Sequence, residues 1–402
     1  MPGFDVLVVG AGVIGAACAY YAAREGLHVC LLDREDATSG ATRACDGDVL
    51  AIGQAPGYKS RMARVSQELL SELVSSLDGD LDYKLRGSGL VVEEGQEEFA
   101  LDWAKRLEES GLPVRYIGRD DALRSEPLLA DDVAGMVECD SDSSLNPMEL
   151  TYSMIRSIRR TPRCEARLQN DVVRILRSGR GQAVGVELAS GDRVLGGVVV
   201  IACGVWTPRL LATVGREVPI HPRKGHLLVS ERTSVMARRK LMEFGYLAAK
   251  YDDMPPIDVP DEMQRLGIAM VIEPTGHGNF LLGSSREFVG FDTASNPWVL
   301  ELMSRRVLRF FPSLARVRMI RSYAGLRPYT PDGMPIVSPV EGTEGLFVAA
   351  GHEGSGVALA PITGRLVSEM ILNRATTIPV EPLALGRFSG TSPISTAELK
   401  EV

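Results

Sequence analysis

The chain has 402 residues and a formal net charge of −8, with Lys+Arg 44 against Asp+Glu 52. That length suits one large domain or two interleaved ones, and the acidic balance excludes a basic face for nucleic acid and disfavours an anionic membrane surface. Its six cysteines, Cys18, Cys30, Cys45, Cys139, Cys164 and Cys203, form no C-x-x-C pair, which argues against a zinc ribbon or an iron-sulfur cluster and for a reducing, cytoplasmic compartment.

The opening VLVVGAGVIGAACAYYAAREGLHVCLLDRE predicts a strand over Val6–Val9, a glycine turn over Gly10–Gly15, a small-residue helix over Ala16–Glu25 closed by Gly26, and a second strand over Val29–Leu32. Glycines and charge interrupt this apolar start, so it is not expected to be a signal peptide, and no later run reaches the length of a membrane span. A polar stretch, SGATRACDGDVL, precedes a helix around Tyr58–Leu77. Strands are expected near Leu90–Val92 and Gly135–Glu138, with a charged helix from about Gln96 to Ser110 between them and another over Pro147–Arg159. DVVRILRSGRGQAVGVELASGDRVLGGVVVIACGVW reads as a meander of short strands ending in the apolar Val198–Ala202. From Gly225 the pattern is strand-like again (GHLLVSER, GIAMVIEP, NFLLGSSREF), followed by a helix over Pro297–Phe310, the segment AGLRPYTPDGMPIVS, the strand GLFVAAG and a helix from Ser355. No internal repeat is visible, and nucleotide-binding segments alternate with sheet-rich ones.

In G-x-G-x-x-G the first glycine permits a tight turn, the second lets the backbone approach a pyrophosphate, and the third lets the helix pack on its strand. Gly10, Gly12 and Gly15 fill those places, the helix N-terminus faces the phosphates, and Asp33 at the end of the second strand is placed for a ribose diol. These features point to a dinucleotide, NAD or FAD. Small residues at Ala202, Cys203 and Gly204 before Trp206 would admit a bulky ligand, or simply end a buried strand in a turn. Gly351, Gly354 and Gly356 open a long helix whose bare amides would suit the negative charge gathering on a reduced flavin, which moves the weight to FAD.

The segments VLVVGAGVIGAACAYYAAREG, VVVIACGVWTPRLL, GSSREFVGFD, AGLRPYTPDGMPIV and GHEGSGVALAPITG together resemble the D-amino-acid-oxidase-type flavoprotein superfamily, which includes glycine and sarcosine oxidases. The likeness spans Asp5 to about Asn373, and the last three motifs most resemble the FAD-bearing β subunits of proline or hydroxyproline dehydrogenase and of octopine or nopaline oxidase. The cyanide-forming glycine dehydrogenase of pseudomonads is similar at a greater distance. The resemblance implies an α/β chain: a Rossmann-type FAD-binding domain interleaved with a mixed-sheet α+β substrate domain. The expected division gives residues 1–85, 145–220 and 323–385 to the FAD-binding domain, 86–144 and 221–322 to the substrate domain, and 386–402 to a loose C-terminal tail.

Motifs and resemblance place the cofactor against Gly10, Gly12, Val13, Ile14, Gly15, Asp33 and Arg34, and against Thr42, Arg43, Ala44, Gly47 and Asp48. The remaining contacts are expected from Val172, Val173, Ala202, Cys203, Gly204 and Trp206, and from Arg327, Gly351, His352, Glu353, Gly354, Ser355 and Gly356. The family oxidises a carbon-nitrogen bond beside a carboxylate, passing a hydride to flavin N5. A carboxylate calls for a planar bidentate donor, which arginine supplies better than lysine. Arg327 in GLRPYTPDG matches the family's carboxylate-fixing arginine; otherwise it would pair with Asp332 or another local acid. His352 would donate to the reduced ring, form part of the substrate pocket, or only pack its loop. The arginine that glycine oxidase carries in this loop is replaced by Gly354 or its neighbour, which puts a second cationic clamp in doubt. Tyr246, Tyr251, Glu273, Asn146 and His226 fall in segments the resemblance places around the cavity, each with a structural alternative. Arg286 and Glu287 would form a strand-end ion pair or meet another subunit. Gly325 stands where monomeric sarcosine oxidase attaches FAD to a cysteine, so the expected FAD is noncovalent, and no metal site is expected.

The relatives share an α-carboxylate on a carbon whose nitrogen is often secondary. Opine oxidation ranks slightly above proline or hydroxyproline oxidation, since acids in KYDDMPPIDVPDEM (Lys250–Met263) would face an opine's guanidinium arm unless they form only a solvated loop. The resembling β subunits work with an α subunit, with FMN at the interface and sometimes a small iron-sulfur subunit. The rivals are a self-sufficient oxidase that uses oxygen, an electron-transfer or assembly subunit without turnover of its own, and, further off, an NAD dehydrogenase.

Overall fold

The computed structural model describes residues 3–235, 237–247 and 259–389. The predicted opening unit forms: a strand over Phe4–Val9, a helix over Val13–Arg24 and a strand over Val29–Leu32. The first strand is the centre of a parallel sheet, so both faces are covered and Val6, Leu7, Val8 and Val9 are all buried. On one side it pairs in parallel with Arg193–Ile201, which pairs in turn with Leu346–Ala350; on the other it pairs with Val29–Leu32 and then Glu165–Arg167. Ile336–Pro339 closes one edge antiparallel, and the predicted meander supplies the hairpin Val172–Arg177 with Ala183–Leu188. Three remote stretches of chain thus meet in one sheet.

The helix over Val13–Arg24 is built of small residues because it lies against the helix over Gly356–Ile371. A Cβ on Gly364 would stand 2.6 Å from the Ala17 carbonyl oxygen, so the backbones touch where any larger residue would separate them. The helices Tyr58–Ser76 and Pro147–Arg160 complete this layer. Asn146, one of the cavity candidates, is instead the N-cap of the latter: its Oδ1 accepts from the Met148 and Glu149 amides, with proline at the first helical position.

A second, eight-stranded sheet runs in the order Met319–Tyr329, His221–Ser230, Phe280–Gly283, Val271–Pro274, Lys240–Glu243, Ser88–Val92, Gly135–Cys139, Val114–Gly118. It is mixed, since Lys240–Glu243 and Ser88–Val92 run parallel and the other pairs antiparallel. The boundary expected at residue 323 cuts through Met319–Tyr329, which pairs with His221–Ser230 on both sides of that point. Alternation alone cannot reveal which sheet a strand joins. The tail expected to be loose from 386 is tied at its start: the Leu385 amide donates to Ser338 Oγ and Arg387 pairs with Asp332 at 2.6 Å. No helix among the described residues is long and apolar enough to cross a membrane.

Candidate active site

The carboxyl ends of the parallel strands open onto a cleft of about 1740 Å³, counted with its mouth, whose other wall is the second sheet. That position, outside the strand ends, is where open α/β sheets bind ligands. At one end lies the glycine turn. Gly10 has φ +109°, and a Cβ there would meet the Ala202 carbonyl oxygen at 2.4 Å; one on Gly15 would stand 1.7 Å from the Gly10 oxygen. The turn therefore accepts no side chain at either place, as a backbone cradle for a pyrophosphate requires. Thr42 Oγ1 accepts from the Val13 amide at 3.0 Å, fixing the polar loop to the helix start. Asp33 accepts from the Ala11 and Glu35 amides, and burial raises its carboxyl above the ordinary value. Arg34 lies 4.3 Å over the Trp206 ring, so the pair forms a flat wall of the cleft.

Another part of the cleft is set by strand register. Arg223 stands opposite Arg327 and Gly225 opposite Gly325 in the pair His221–Ser230 with Met319–Tyr329. Two guanidinium groups facing each other across a ladder repel, and Glu353 resolves this: it pairs with Arg223 and lies 3.9 Å from Arg327 Nε. Glu353 holds φ +49°, which a non-glycine residue adopts only under constraint. The Arg327 guanidinium lies over Gly225, where a Cβ would come within 2.2 Å of it, and its Nη1 donates to the Ser285 carbonyl at 2.9 Å. Arg327 is thus held by Ser285 and Glu353, whereas Asp332 is taken by Arg387. Across the cleft, a Cβ on Gly325 would sit 2.8 Å from Ala44 Cβ and from its carbonyl oxygen, leaving no room for a cysteine.

His352 lines the cleft with its ring buried; Nε2 bonds Thr363 Oγ1 at 2.9 Å and Nδ1 has no partner. Burial first, and then the nearby Lys59 ammonium, push its pKa down to about 3, so the ring is neutral at physiological pH. Lys59 is itself buried and donates to the Gly333 carbonyl. Beside the cleft, the Lys240 ammonium contacts Asp46 (2.9 Å), Asp48 and Glu273 (3.3 Å). The three carboxylates lie within 4.8 Å of one another and could ligate a cation; here an amine supplies the charge. Burial, then Asp46, pushes the Asp48 carboxyl well up, and burial raises Glu273; burial also opposes the charge of Lys240, yet the three acids hold its pKa well above the usual lysine value.

Of the expected cofactor contacts, Gly10, Gly12, Val13, Ile14, Asp33, Arg34, Thr42, Ala44, Asp48, Val172, Ala202, Cys203, Gly204 and Trp206 line the cleft, as do Tyr246, Arg327, His352, Glu353, Gly354 and Gly356. Gly15, Gly47, Gly351 and Ser355 shape the backbone from behind it: Gly47 abuts the Leu145 carbonyl, Gly351 has φ +76°, and Ser355 Oγ donates to Gln54. Arg43 and Val173 do not line it. Glu273, expected at the substrate, is turned into the Lys240 cluster and accepts from the Gly47 amide, because a buried acid needs its partners more than an open cavity. His226 is bound within the sheet, to Ser285 Oγ at 2.9 Å and the Asn296 amide at 3.1 Å. Arg286 pairs with neither Glu287 nor a surface: it is buried, and Glu287 faces His226. Tyr251 and most of the acidic segment 250–263 lie outside the described residues. Sequence reasoning missed Arg223, Gly225 and Lys240, whose positions follow only from cross-strand register.

Residues 5–370 match the family of FAD dependent oxidoreductases, and the chain belongs to that family. It is 28% identical to glycine oxidase of Pseudomonas aeruginosa, over 94% of this chain and 98% of that one. Hydrogen cyanide synthase subunit HcnC of Pseudomonas protegens, expected to be more distant, matches equally well at 27% over 97% of both chains. Among solved structures, L-proline dehydrogenase from P. horikoshii superposes with TM-score 0.85 at 21% identity, covering 96% of this chain and 98% of that one. The protein is therefore a FAD-dependent oxidoreductase. The glycine turn, with no room for side chains, and the Ala44–Gly325 contact fit a dinucleotide flavin held without a covalent bond.

Proposed function

We propose that the protein oxidises the carbon-nitrogen bond of a secondary-amine amino acid, an opine such as octopine or nopaline, or proline or hydroxyproline. The carrying observation is the Arg327 guanidinium, laid over Gly225 at the far end of the cleft that begins at the Gly10 turn. Bound FAD supplies the two-electron acceptor; the protein orients and stabilises charge. Arg327 fixes the α-carboxylate, Tyr246 and Leu227 bound the space for the rest of the substrate, and neutral His352, which lines the cleft, would serve bound FAD as a hydrogen-bonding group rather than as an acid. The substrate carbon gives up a hydride, the nitrogen lone pair forms the C=N bond, and the N–H proton leaves to solvent. No strong base is required when the amine arrives neutral.

The proposal extends to a catalytic subunit working in the cytoplasm with an α subunit, FMN between them and in some assemblies a small iron-sulfur subunit. The name of one relative, a synthase subunit, supports a multi-subunit setting, and six free cysteines suit a reducing compartment. An anaerobic screen of proline isomers, hydroxyproline, sarcosine, octopine and nopaline against the purified flavoprotein tests the reading by flavin bleaching. A flavin that none of them bleaches overturns it. Peroxide formation by the isolated chain would favour the oxygen-using oxidase, whereas dye reduction only with a partner present would favour the subunit.

A further inference from the structure

Among the described residues, Arg286 is a buried guanidinium that no carboxylate pairs with. Its stem crosses the backbone at Gly267, its Nη1 donates to the Gly267 carbonyl at 3.2 Å, and its plane lies 4.3 Å over the ring of Tyr246, which lines the cleft. Nε has no hydrogen-bond partner, and no carboxylate among the described residues lies within ion-pair distance. Glu287 faces His226, and Glu353 stands between Arg223 and Arg327. Only 7% of Arg286 is exposed. Burying a guanidinium uncompensated is expensive, and the neighbouring Arg223 and Arg327 add repulsion: burial first, and then these two, pull its pKa below the usual arginine value. Ser284, one residue before the carbonyl that holds Arg327, lines the cleft with a buried hydroxyl that also lacks a partner. Arg327 thus lines the cleft with Arg223 and Arg286 buried behind it; among the described residues these three guanidinium groups share one carboxylate, Glu353, and unused donors remain on Ser284 and Arg286. The phosphates of a dinucleotide belong at the Gly10 turn, against Ala202 and Thr42, and do not meet this need.

We propose that Arg286 and the Ser284 hydroxyl form a second carboxylate site, so that the substrate is a secondary amine bearing two carboxylates, one held by Arg327 and the other by Arg286. This rests on the reading of Arg327 as the α-carboxylate anchor. It favours an opine-like dicarboxylate over proline, whose single carboxylate leaves Arg286 unanswered. Arginine's planar fork suits a carboxylate better than a lysine would.

The test compares N-methylglycine with N-(carboxymethyl)glycine, which keep the same amine and differ by one carboxylate. Anaerobic flavin reduction by wild type is expected to half-saturate at least tenfold lower with the dicarboxylate. In R286Q that preference collapses toward one, while R286K keeps part of it and S284A loses a few-fold. Equal saturation by both compounds in wild type, or an unaltered preference in R286Q, overturns the proposal. Titration of the flavin absorbance with the same compounds reads binding without turnover. Tighter dicarboxylate binding that R286Q abolishes, with no bleaching, would retain the second site and sink the oxidation reading instead. If R286Q does not fold, S284A and R286K carry the comparison, with flavin content as the control.

Discussion

In its proposed role as carboxylate anchor, Arg327 gains from having most of its own bonding already fixed. Its Nη1 is spent on Ser285 and its Nε leans toward Glu353, so it meets a carboxylate with little orientational freedom left to lose. Removing a charged hydrogen bond costs about 1.5–3 kcal/mol; Arg327→Ala is therefore expected to raise the substrate constant on the order of tenfold to a hundredfold, with flavin content unchanged. Steady-state kinetics on the flavin-loaded variant check this, and an unchanged constant removes Arg327 from the site. His352 makes a prediction about pH. Its folded value of about 3 lies below the ordinary 6.5, so in between an unfolded chain takes up a proton that the folded ring refuses. Stability is full above about pH 6.5 and falls as the pH drops toward 3, by about 2 kcal/mol at pH 5. His352→Gln should flatten this acid limb in denaturant titrations at pH 5 and 7.

At the scale of elements, the strand pair His221–Ser230 with Met319–Tyr329 decides the site. Register places Arg223 beside Arg327 and leaves Gly225 as the bed on which the Arg327 head lies. Gly225→Ala puts a methyl where the guanidinium now sits. The expected result is a raised substrate constant with FAD retained, which separates this substitution from a change at the glycine turn. Gly325→Cys should not create a covalent flavin: its side chain would collide with Ala44, so looser FAD binding is expected, read by flavin release on dilution. A protein-bound flavin that survives denaturation would contradict this.

For the whole molecule, the cleft exists only where two sheets meet, and buried charge holds that junction. Lys240 comes from the second sheet, Asp46 and Asp48 from the polar loop after the opening unit, and Glu273 from a strand beside Lys240. Lys240→Met strands the buried Glu273 and the half-buried Asp46 and Asp48, a loss of about 3 kcal/mol, the low end of the usual cost of breaking a buried pair. Because the Asp48 and Glu273 carboxyls are already raised, the loss should be greatest at alkaline pH and ease as falling pH protonates them. Thermal melts at pH 5.5 and 8.5 test that sign. FAD should likewise raise the melting temperature, since it binds the assembled cleft and not the unfolded chain; Gly12→Leu is expected to lose both the cofactor and that increment.

Local chemistry was enough to read the opening strand-turn-helix, the alternation of nucleotide-binding and sheet-rich segments, the main helices and the glycines at Gly10, Gly15 and Gly351, because each depends on near neighbours, on periodicity or on the absence of a side chain. That Arg327 and His352 lie on the cleft was legible too, through their motifs. The sequence could not decide which sheet owns Met319–Tyr329, that Glu273 answers Lys240 and not a substrate, or that Arg286 would be buried without its neighbouring acid. Those outcomes depend on cross-strand register and on competition among buried charges for partners remote in the chain, and only the assembled tertiary structure fixes them.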